Sequence, residues 1–254
     1  MSDITTAATQ LANAFTNHRL LTSLPDSATP QSFEESYTIQ KETLIRTGKK
    51  IEGWKLAVAT PAAQAKLGID GPLIGPILAG HVVENGGEMP ASRFHFPNIE
   101  AEIVLIIGAT PPADVSIATI GQYVASARLA IEIADRRFVE KPSPMVTLAD
   151  LNATGYLVVG DEITGWRKGD FTGGLVETWC NDTLLARNDD PGQWPDPLAG
   201  LVYLVGFLAK RGEYLKPGDV ITTGACATPT LAASGVMEAR FDGLGTVRFT
   251  LRPE

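Results

Sequence analysis

Two glutamates separated by one residue introduce a long aliphatic segment, and they are the residues best suited to chemistry in this sequence. Glu100 and Glu102 precede the run Ile103–Ile107. Side chains along a strand alternate between faces, so this spacing predicts that both carboxylates lie on one face. A strand that is apolar on both faces is usually covered on both sides, where an unpaired charge is costly. The pattern therefore indicates a shared proton, basic partners or a cation, and we favour a cation.

A third carboxylate occupies a similar apolar setting. Glu132 interrupts an otherwise aliphatic segment. Three carboxylates from two strands form an oxygen-donor set of the kind that Mg²⁺ or Mn²⁺ prefers. The alternative interpretation leaves Glu100 and Glu102 on a solvated face and pairs Glu132 with Arg128 or Arg136. The apolar flanks of all three glutamates favour the metal hypothesis.

A lysine interrupts a further apolar segment. Lys55 follows Gly53-Trp54 and precedes Leu56-Ala57-Val58. Beside carboxylates or a metal, a lysine can act as an acid or base, or it can bind an anion. The alternative is an exposed strand lysine, because lysines are rarely buried. The chain shows no Ser-His-Asp or Cys-His arrangement and no phosphate-binding glycine motif, and Lys55 stays a candidate for either role.

Composition narrows the classes of function. The 254 residues are 44% hydrophobic and 20% charged, which is ordinary for a globular protein, and the formal net charge is −8. This acidic balance argues against nucleic acid or an anionic membrane as a partner. The two cysteines lack metal-ligand spacing. We expect a cytoplasmic protein, because the sequence has neither a signal-peptide pattern nor an apolar run of roughly 20 residues.

The elements around these residues predict an α+β fold. Helical spacing over residues 3–20 and 32–46 predicts a helical N-terminal portion at 1–50. Short strand patterns follow, so we expect the catalytic core to span 51–254. Many short strands without regular βαβ alternation are typical of a curled mixed sheet.

Three local expectations belong to this core. The Gly- and Pro-rich segment 68–80 predicts a loop, and residues 117–127 have helical character. Asn181-Asp182, between two strand patterns, predicts a two-residue hairpin turn.

Six short motifs follow one another in a defined order. They are Gly53-Trp54-Lys55-Leu56, Gln64-Ala65-Lys66-Leu67-Gly68-Ile69, Pro72 with Gly75, Ile99-Glu100-Ala101-Glu102-Ile103, Ile131-Glu132-Ile133 and Gly218-Asp219-Val220-Ile221-Thr222-Thr223-Gly224-Ala225. In this order and spacing, the motifs resemble the 2-oxopent-4-enoate hydratase and 4-oxalocrotonate decarboxylase group of the fumarylacetoacetate hydrolase superfamily.

The resemblance implies a mixed β-roll core of the fumarylacetoacetase type with a helical N-terminal portion. It also implies a homo-oligomer that binds Mg²⁺ or Mn²⁺ and acts on a small 2-oxo acid. By matching motifs, the implied metal ligands are Glu100, Glu102 and Glu132. The implied catalytic and substrate-binding residues are Lys55, Thr223 and Gly224.

Two motifs depart from the family pattern. Hydratases of this group usually carry Pro-Asp-aromatic-Gly where this chain has Pro72-Leu73-Ile74-Gly75. They usually carry Ala-Asp-Asn-Ala-Ser where this chain has Ala149-Asp150-Leu151-Asn152-Ala153. Leu73 and Asp150 are therefore expected on the substrate side, and the lost acid weakens the case for water addition more than the case for a metal.

The function that the resemblance implies first is a hydratase of a 2-hydroxydienoate in catabolism of the aromatic meta-cleavage type. The chemistry would pass through a stabilised enolate. A 2-oxo acid decarboxylase and an acylpyruvate-type C–C hydrolase are the alternatives, because they share that enolate chemistry. A non-catalytic partner subunit is a further alternative, since the aspartate of the loop motif is replaced by Leu73.

Overall fold

The structure is a computed structural model, and it describes residues 2–168 and 174–253. Within these ranges the helices are α1 (Ile4–Thr16), α2 (Phe33–Thr47), α3 (Pro61–Leu67), α4 (Pro144–Ala149) and α5 (Pro197–Ala209). The strands are β1 (Ile51–Ala57), β2 (Leu73–Leu78), β3 (Val82–Glu84), β4 (Glu88–Pro90), β5 (Asn98–Ile107), β6 (Val124–Ala134), β7 (Tyr156–Glu162), β8 (Val176–Cys180), β9 (Thr183–Asn188), β10 (Val220–Ala225), β11 (Thr230–Leu231), β12 (Gly235–Phe241) and β13 (Gly245–Arg252).

Two sheets build the core. The larger sheet has the strand order β2-β1-β10-β5-β6-β7-β3, with β11 also paired to β5. The smaller sheet has the order β4-β13-β12-β8-β9. Parallel and antiparallel pairs occur in both sheets. This arrangement confirms the predicted α+β class with a mixed sheet.

The alternation of β5 explains why two carboxylates lie in the middle of the protein. Ile99, Ile103 and Leu105 are almost fully buried in the main hydrophobic core. The intervening residues, including Glu100 and Glu102, lie on the other face of the strand. Pro97 lies immediately before β5, a position that suits proline because it has no backbone N–H to donate.

A helix cap and apolar packing stabilise the N-terminal helices. The side chain of Ser32 accepts a hydrogen bond from the backbone N–H of Glu35 at 3.2 Å. The Glu35 carboxylate accepts instead from the backbone N–H of Gln31 at 2.9 Å, so only one half of a capping box is present. Leu11 of α1 and Ile39 of α2 belong to one apolar cluster with residues that flank and form α4.

The segment 68–80 is not a continuous loop, which corrects the expectation from its glycines and prolines. Its residues 73–78 form β2, are all buried and pair antiparallel with β1. Pro76 is tolerated because β2 lies at the edge of the larger sheet, where a missing N–H costs least.

The helix expected over residues 117–127 is also wrong. Ile120–Tyr123 forms a short 3-10 turn, and Val124 begins β6. Pairing of β6 with β5 overrides the local helical character of its small residues. The hairpin at Asn181-Asp182 is confirmed, because Cys180 pairs with Thr183 and Asn181 has a φ of 51°.

No helix within residues 2–168 and 174–253 is long and apolar enough to cross a bilayer.

Candidate active site

Strand register brings the predicted lysine and the carboxylates to adjacent strands. Lys55 of β1 pairs with Thr222 of β10. Next in the sheet is β5, where Glu100 lies directly opposite Glu132 of β6. Three strands, β1, β5 and β6, therefore supply one group of ionisable side chains, with β10 between β1 and β5. We call the group formed by Lys55, Glu100, Glu102 and Glu132 the carboxylate cluster.

An ion pair between Lys55 and Glu132 joins the outer strands of this group. Lys55 Nζ donates to Glu132 Oε1, and each residue is only 4% exposed. The second carboxylate oxygen of Glu132 accepts a hydrogen bond from Thr222 Oγ1 at 3.0 Å. The interpretation of Lys55 as an exposed strand lysine is therefore wrong.

The proposed arginine partners of Glu132 are used elsewhere. Arg128 donates to the carbonyl of Gly160 at 3.0 Å, and Arg136 donates to the carbonyl of Phe138 at 3.1 Å. The charge of Glu132 is therefore balanced by the β1 lysine rather than by a neighbour in sequence.

Glu102 is deeply buried, whereas Glu100 retains some exposure to solvent. Glu102 is 1% exposed and accepts a hydrogen bond from the backbone N–H of Gly224 at 2.9 Å. Burial, together with the charges of Glu132 and Glu100, raises the pKa of Glu102 well above its usual value. Removal from bulk water, reinforced by Glu132, raises the pKa of Glu100 to about 7. Glu100 accepts no hydrogen bond from the described residues.

The carboxylate cluster has more acidic than basic groups, because three carboxyl groups face one ammonium group. Burial lowers the pKa of Lys55, but the carboxylates of Glu132, Glu100 and Glu102 outweigh burial and raise it overall. A cation that prefers oxygen ligands would balance the excess of carboxyl groups. In the described part of the chain, no three acidic, histidine or cysteine side chains converge closely enough to enclose a metal ion. Glu132 is turned toward Lys55 instead.

The two adjacent threonines of β10 face different partners. Thr223 Oγ1 donates to the backbone carbonyl of Ile103 at 2.8 Å, whereas Thr222 reaches the carboxylate cluster. Gly224 has a φ of +106°, and an added Cβ there would lie 2.5 Å from Ala59 Cβ. Sequence reasoning had singled out Thr223 and Gly224 and missed Thr222. The available signal was strand alternation, which places only one of two adjacent threonines on the face of Lys55.

Asp150 lies outside the carboxylate cluster and forms a separate buried pair. Its Oδ1 accepts from Arg137 Nε at 2.7 Å, and its backbone carbonyl accepts from Arg137 Nη2 at 2.6 Å. Arg137 Nη1 also donates to the carbonyl of Thr154 at 3.0 Å. The guanidinium group therefore holds both ends of the segment 150–154.

The segment held by Arg137 contains three successive left-handed residues. Leu151, Asn152 and Ala153 have φ values of 52°, 53° and 53°. Non-glycine residues in this region cost of order 1 kcal/mol each, so tertiary contacts must hold them. One contact is the hydrogen bond at 3.2 Å from Asn152 Nδ2 to the carbonyl of Leu73.

This strained turn lies against the stem of Lys55. A Cβ added to Gly75, which pairs with Lys55, would lie 2.5 Å from Asn152 Cβ and 3.0 Å from Lys55 Cγ. Leu73 is two residues away along β2 and is buried, so it lies on the same face as Gly75. Asn152 therefore lies next to the Lys55–Gly75 pair, Leu73 lies opposite Ala57 on the same face of β2, and Asp150 supports the turn through Arg137.

Comparison with known proteins identifies the family to which this chain belongs. Residues 79–252 match the family model described as fumarylacetoacetate (FAA) hydrolase C-terminal. A 2-keto-4-pentenoate hydratase from Burkholderia vietnamiensis is 30% identical over 260 residues, covering 98% of this chain and 99% of the relative. A 4-oxalocrotonate decarboxylase from Pseudomonas putida is 26% identical, covering 91% of this chain and 88% of the relative.

A solved structure shows the same fold over almost the whole chain. The 4-oxalocrotonate decarboxylase from Pseudomonas putida G7, complexed with magnesium and adipate, superposes with a TM-score of 0.86 at 24% identity. The match covers 99% of this chain and 97% of that protein. With a family model that matches most of its length and a full-length relative at 30% identity, this chain belongs to the fumarylacetoacetate hydrolase family.

Proposed function

We propose that this protein is a hydro-lyase that hydrates a small 2-hydroxydienoate or 2-oxoalkenoate with the help of a divalent metal. The observation that carries the proposal is the buried Lys55–Glu132 pair with two further carboxylates beside it. The full-length relative at 30% identity is named 2-keto-4-pentenoate hydratase, which supports this reaction class. The expected role is in catabolism of the aromatic meta-cleavage type.

The metal assignment rests on the donor set and on its unbalanced charge. Glu100, Glu102 and Glu132 would hold Mg²⁺ or Mn²⁺, since these ions prefer carboxylate oxygens. The excess of acidic over basic groups supports this assignment, and so does Glu100, which accepts no hydrogen bond from the described residues. The related decarboxylase was solved with magnesium. When bound, such an ion supplies Lewis-acid polarisation of a 2-oxo acid.

The chain's own residues would orient the reaction. Lys55 would hold the substrate carboxylate or move a proton at its Nζ, since it is the basic group nearest the carboxylates. Thr222 keeps Glu132 in place through the 3.0 Å hydrogen bond, and the Gly224 N–H does the same for Glu102. Fixed side chains reduce the reorganisation that catalysis must overcome.

The substrate-side assignments complete the proposal. Leu73, Thr223 and Gly224 would line the space for the substrate, with Leu73 against its hydrocarbon part. Asp150 would act on this wall indirectly, because its pair with Arg137 holds the turn that carries Asn152. We further propose that the protein is cytoplasmic and that it forms a homo-oligomer. Light scattering of the purified protein would test the oligomeric state.

Decarboxylation is the second candidate, and one observation favours it. Leu73 places an apolar side chain beside the Lys55 strand, where hydratases of this group carry an acid that could position water. The chain also has a 26% identical relative named 4-oxalocrotonate decarboxylase. Loss of CO₂ needs the same enolate but no positioned water.

Ultraviolet absorbance of 2-hydroxypenta-2,4-dienoate with added Mg²⁺ or Mn²⁺ tests the proposal. We expect the dienoate signal to decay with formation of a hydrated 4-hydroxy-2-oxo acid, and Glu102→Gln to abolish the decay. Release of CO₂ from 4-oxalocrotonate without dienoate hydration would instead establish the decarboxylase. Failure to turn over any 2-oxo acid, with metal bound, would support the non-catalytic alternative.

A thermal shift with Mg²⁺ tests the metal assignment separately. Binding to the folded state raises the unfolding temperature of the wild type by mass action. The double variant Glu100→Gln/Glu132→Gln should lose this rise, whereas Glu84→Gln on exposed β3 is the matched control and should keep it. An equal rise in the wild type and in the double variant would refute the assignment.

A further inference from the structure

A cavity that is open to solvent lies apart from the carboxylate cluster, between the N-terminal helices, the end of β6 and the start of β7. Its volume is about 430 Å³. We call it the histidine cavity, because its lining includes all three histidines of the chain. The other lining residues that matter for binding are Phe15, Lys49, Arg93, Asp135 and Tyr156. No member of the carboxylate cluster lines it.

Parallel rings give the histidine cavity flat walls. The rings of His18 and His95 stack with centroids 3.9 Å apart and planes inclined by 9°. His81 stacks on Tyr156 with centroids 4.4 Å apart and planes inclined by 14°. The ring of Phe15 lies parallel to His81 at 6.1 Å. Such walls complement a planar body, because stacked rings prefer parallel, offset neighbours.

The charge of the histidine cavity is opposite to that of the whole protein. Lys49 and Arg93 stand at its rim without a carboxylate partner among the described residues, and Arg93 lies 5.2 Å from the centre of the Tyr156 ring. Asp135 is its one acidic residue within the described ranges. Both oxygens of Asp135 already accept hydrogen bonds from the backbone N–H groups that precede β5.

Two histidine nitrogens add to the hydrogen-bonding character of the cavity. Nε2 of His95 is buried and has no hydrogen-bond partner among the described residues. His81 Nδ1 is engaged with the carbonyl of Gly155 at 2.7 Å, which fixes the orientation of the ring. A buried polar atom without a partner is unfavourable.

We propose that the histidine cavity binds a small planar carboxylate, namely an aromatic or conjugated monoacid. The carboxylate would lie between Lys49 and Arg93, and the flat body would lie against the aromatic lining that includes Phe15. Two unpaired cations can bind one carboxylate through charge-assisted hydrogen bonds. The cavity volume lies within the range of small-ligand sites and suits one aromatic ring with its acid group. The proposal does not depend on the reaction at the carboxylate cluster.

Nuclear magnetic resonance of the imidazole C–H groups tests the proposal directly, because the three histidines are internal reporters of the cavity. Benzoate is the probe, titrated into ¹³C-histidine-labelled full-length protein. We expect the signals of His18, His81 and His95 to shift together along one saturable curve. Benzamide, which lacks the charge, and cyclohexanecarboxylate, which lacks the planar ring, should each bind about tenfold more weakly.

Two variants locate the binding. Lys49→Gln/Arg93→Gln should weaken benzoate binding by at least about tenfold, because both cations of the rim are lost. Lys50→Gln/Lys66→Gln removes the same charge from exposed positions that do not line the cavity and should bind as the wild type does. The variant Glu102→Gln, which disables the carboxylate cluster, should also retain benzoate binding.

The outcomes separate this proposal from the proposed function. Binding that survives Lys49→Gln/Arg93→Gln would overturn the proposal. Binding that disappears in Glu102→Gln would also overturn it and would point to the carboxylate cluster instead. The absence of histidine shifts up to millimolar benzoate would overturn it as well. None of these results alters the turnover test, because Lys49 and Arg93 have no contact with the carboxylate cluster.

Discussion

The carboxylate cluster and the histidine cavity are two ionisable regions with opposite construction. The carboxylate cluster concentrates three acids around Lys55 on paired strands. The histidine cavity collects basic and aromatic residues from α1, from the start of β7 and from several connecting segments. The carboxylate cluster has more acidic than basic groups. In the histidine cavity, Lys49 and Arg93 have no carboxylate partner among the described residues.

Each region contains a buried ion pair, and the two pairs differ in whether their charges are balanced. Arg137 and Asp150 satisfy each other and the adjacent backbone, so this pair holds a strained turn. Lys55 and Glu132 form a pair beside two more carboxylates, one of which has no hydrogen-bond partner among the described residues. The comparison indicates that a closed pair stabilises structure, whereas a pair with surplus charge beside it is available for ligand and chemistry.

The largest expected effect comes from removal of the lysine. Lys55→Met should lower the turnover of the dienoate by about 10³-fold or more, because the group that moves or holds charge is lost. Steady-state kinetics with saturating Mg²⁺ measures this. Lys66→Met on exposed α3 is the matched control and should leave turnover unchanged. Retention of more than a tenth of wild-type turnover in Lys55→Met would contradict the assignment.

Breaking the closed pair should affect stability next most strongly. Arg137→Met leaves Asp150 buried without its partner and should cost about 3–5 kcal/mol in the free energy of unfolding. Urea denaturation measures the loss. The double variant Arg137→Met/Asp150→Leu should recover part of it, since the uncompensated charge is gone. If the single and double variants were equally unstable, the turn would depend on the hydrogen bonds of Arg137 rather than on charge balance.

Removal of the Thr222 hydroxyl should have a smaller effect. Thr222→Val deletes the 3.0 Å hydrogen bond to Glu132 and keeps the side-chain shape, so we expect a loss in kcat of about tenfold. Thr223→Val is the informative comparison, because its hydroxyl bonds the Ile103 carbonyl. It should lower stability by about 1 kcal/mol and change kcat less than Thr222→Val. A reversed order would mean that the Thr223 hydroxyl contributes more to catalysis than the hydrogen bond from Thr222 to Glu132.

The smallest effect is a pH dependence of the histidine cavity. Burial lowers the pKa of His81 below its ordinary value of 6.5, and the charges of Lys49, Arg93 and Arg137 add to this, against the hydrogen bond to Gly155. The unfolded chain therefore binds the proton more strongly, so the contribution of His81 to stability is complete above pH 6.5 and declines as the pH falls below it.

Thermal unfolding of the wild type and of His81→Gln between about pH 7.5 and about pH 5 measures this contribution, with the pH range chosen to bracket the ordinary histidine pKa. The difference between the two proteins should narrow as the pH falls. A difference that stayed constant would mean that His81 titrates normally. Saturating benzoate should oppose the decline, because an anion beside the ring favours its protonated form.

Much of the carboxylate cluster follows from short-range patterns. The spacing of Glu100 and Glu102 in an aliphatic run predicts a buried acidic strand, and the structure contains that strand as β5. The helices α1 and α2 likewise follow from helical spacing. Two elements did not, because the glycine and proline of β2 and the small residues at the start of β6 have local preferences that sheet pairing overrides.

Residues that act through long-range contacts were beyond the reach of the pattern. Thr222 and Thr223 are adjacent and identical, and only the register of β10 with β1 and β5 decides which one meets Glu132. Asp150 matched a family motif, yet the structure pairs it with Arg137. The left-handed turn at residues 151–153 carries no glycine, so no local signal announced it.

The sequence by itself determined that acids and a lysine interrupt apolar strands, because strand alternation and the cost of buried charge act over a few residues. The tertiary structure decided which charges are compensated. It paired Lys55 with Glu132 across 77 residues and left the carboxylates beside them in surplus. It also brought His18, His81 and His95 to one cavity from separate segments. Electrostatic balance depends on distances in space, and chain folding sets those distances only when the sheets and the N-terminal helices pack together.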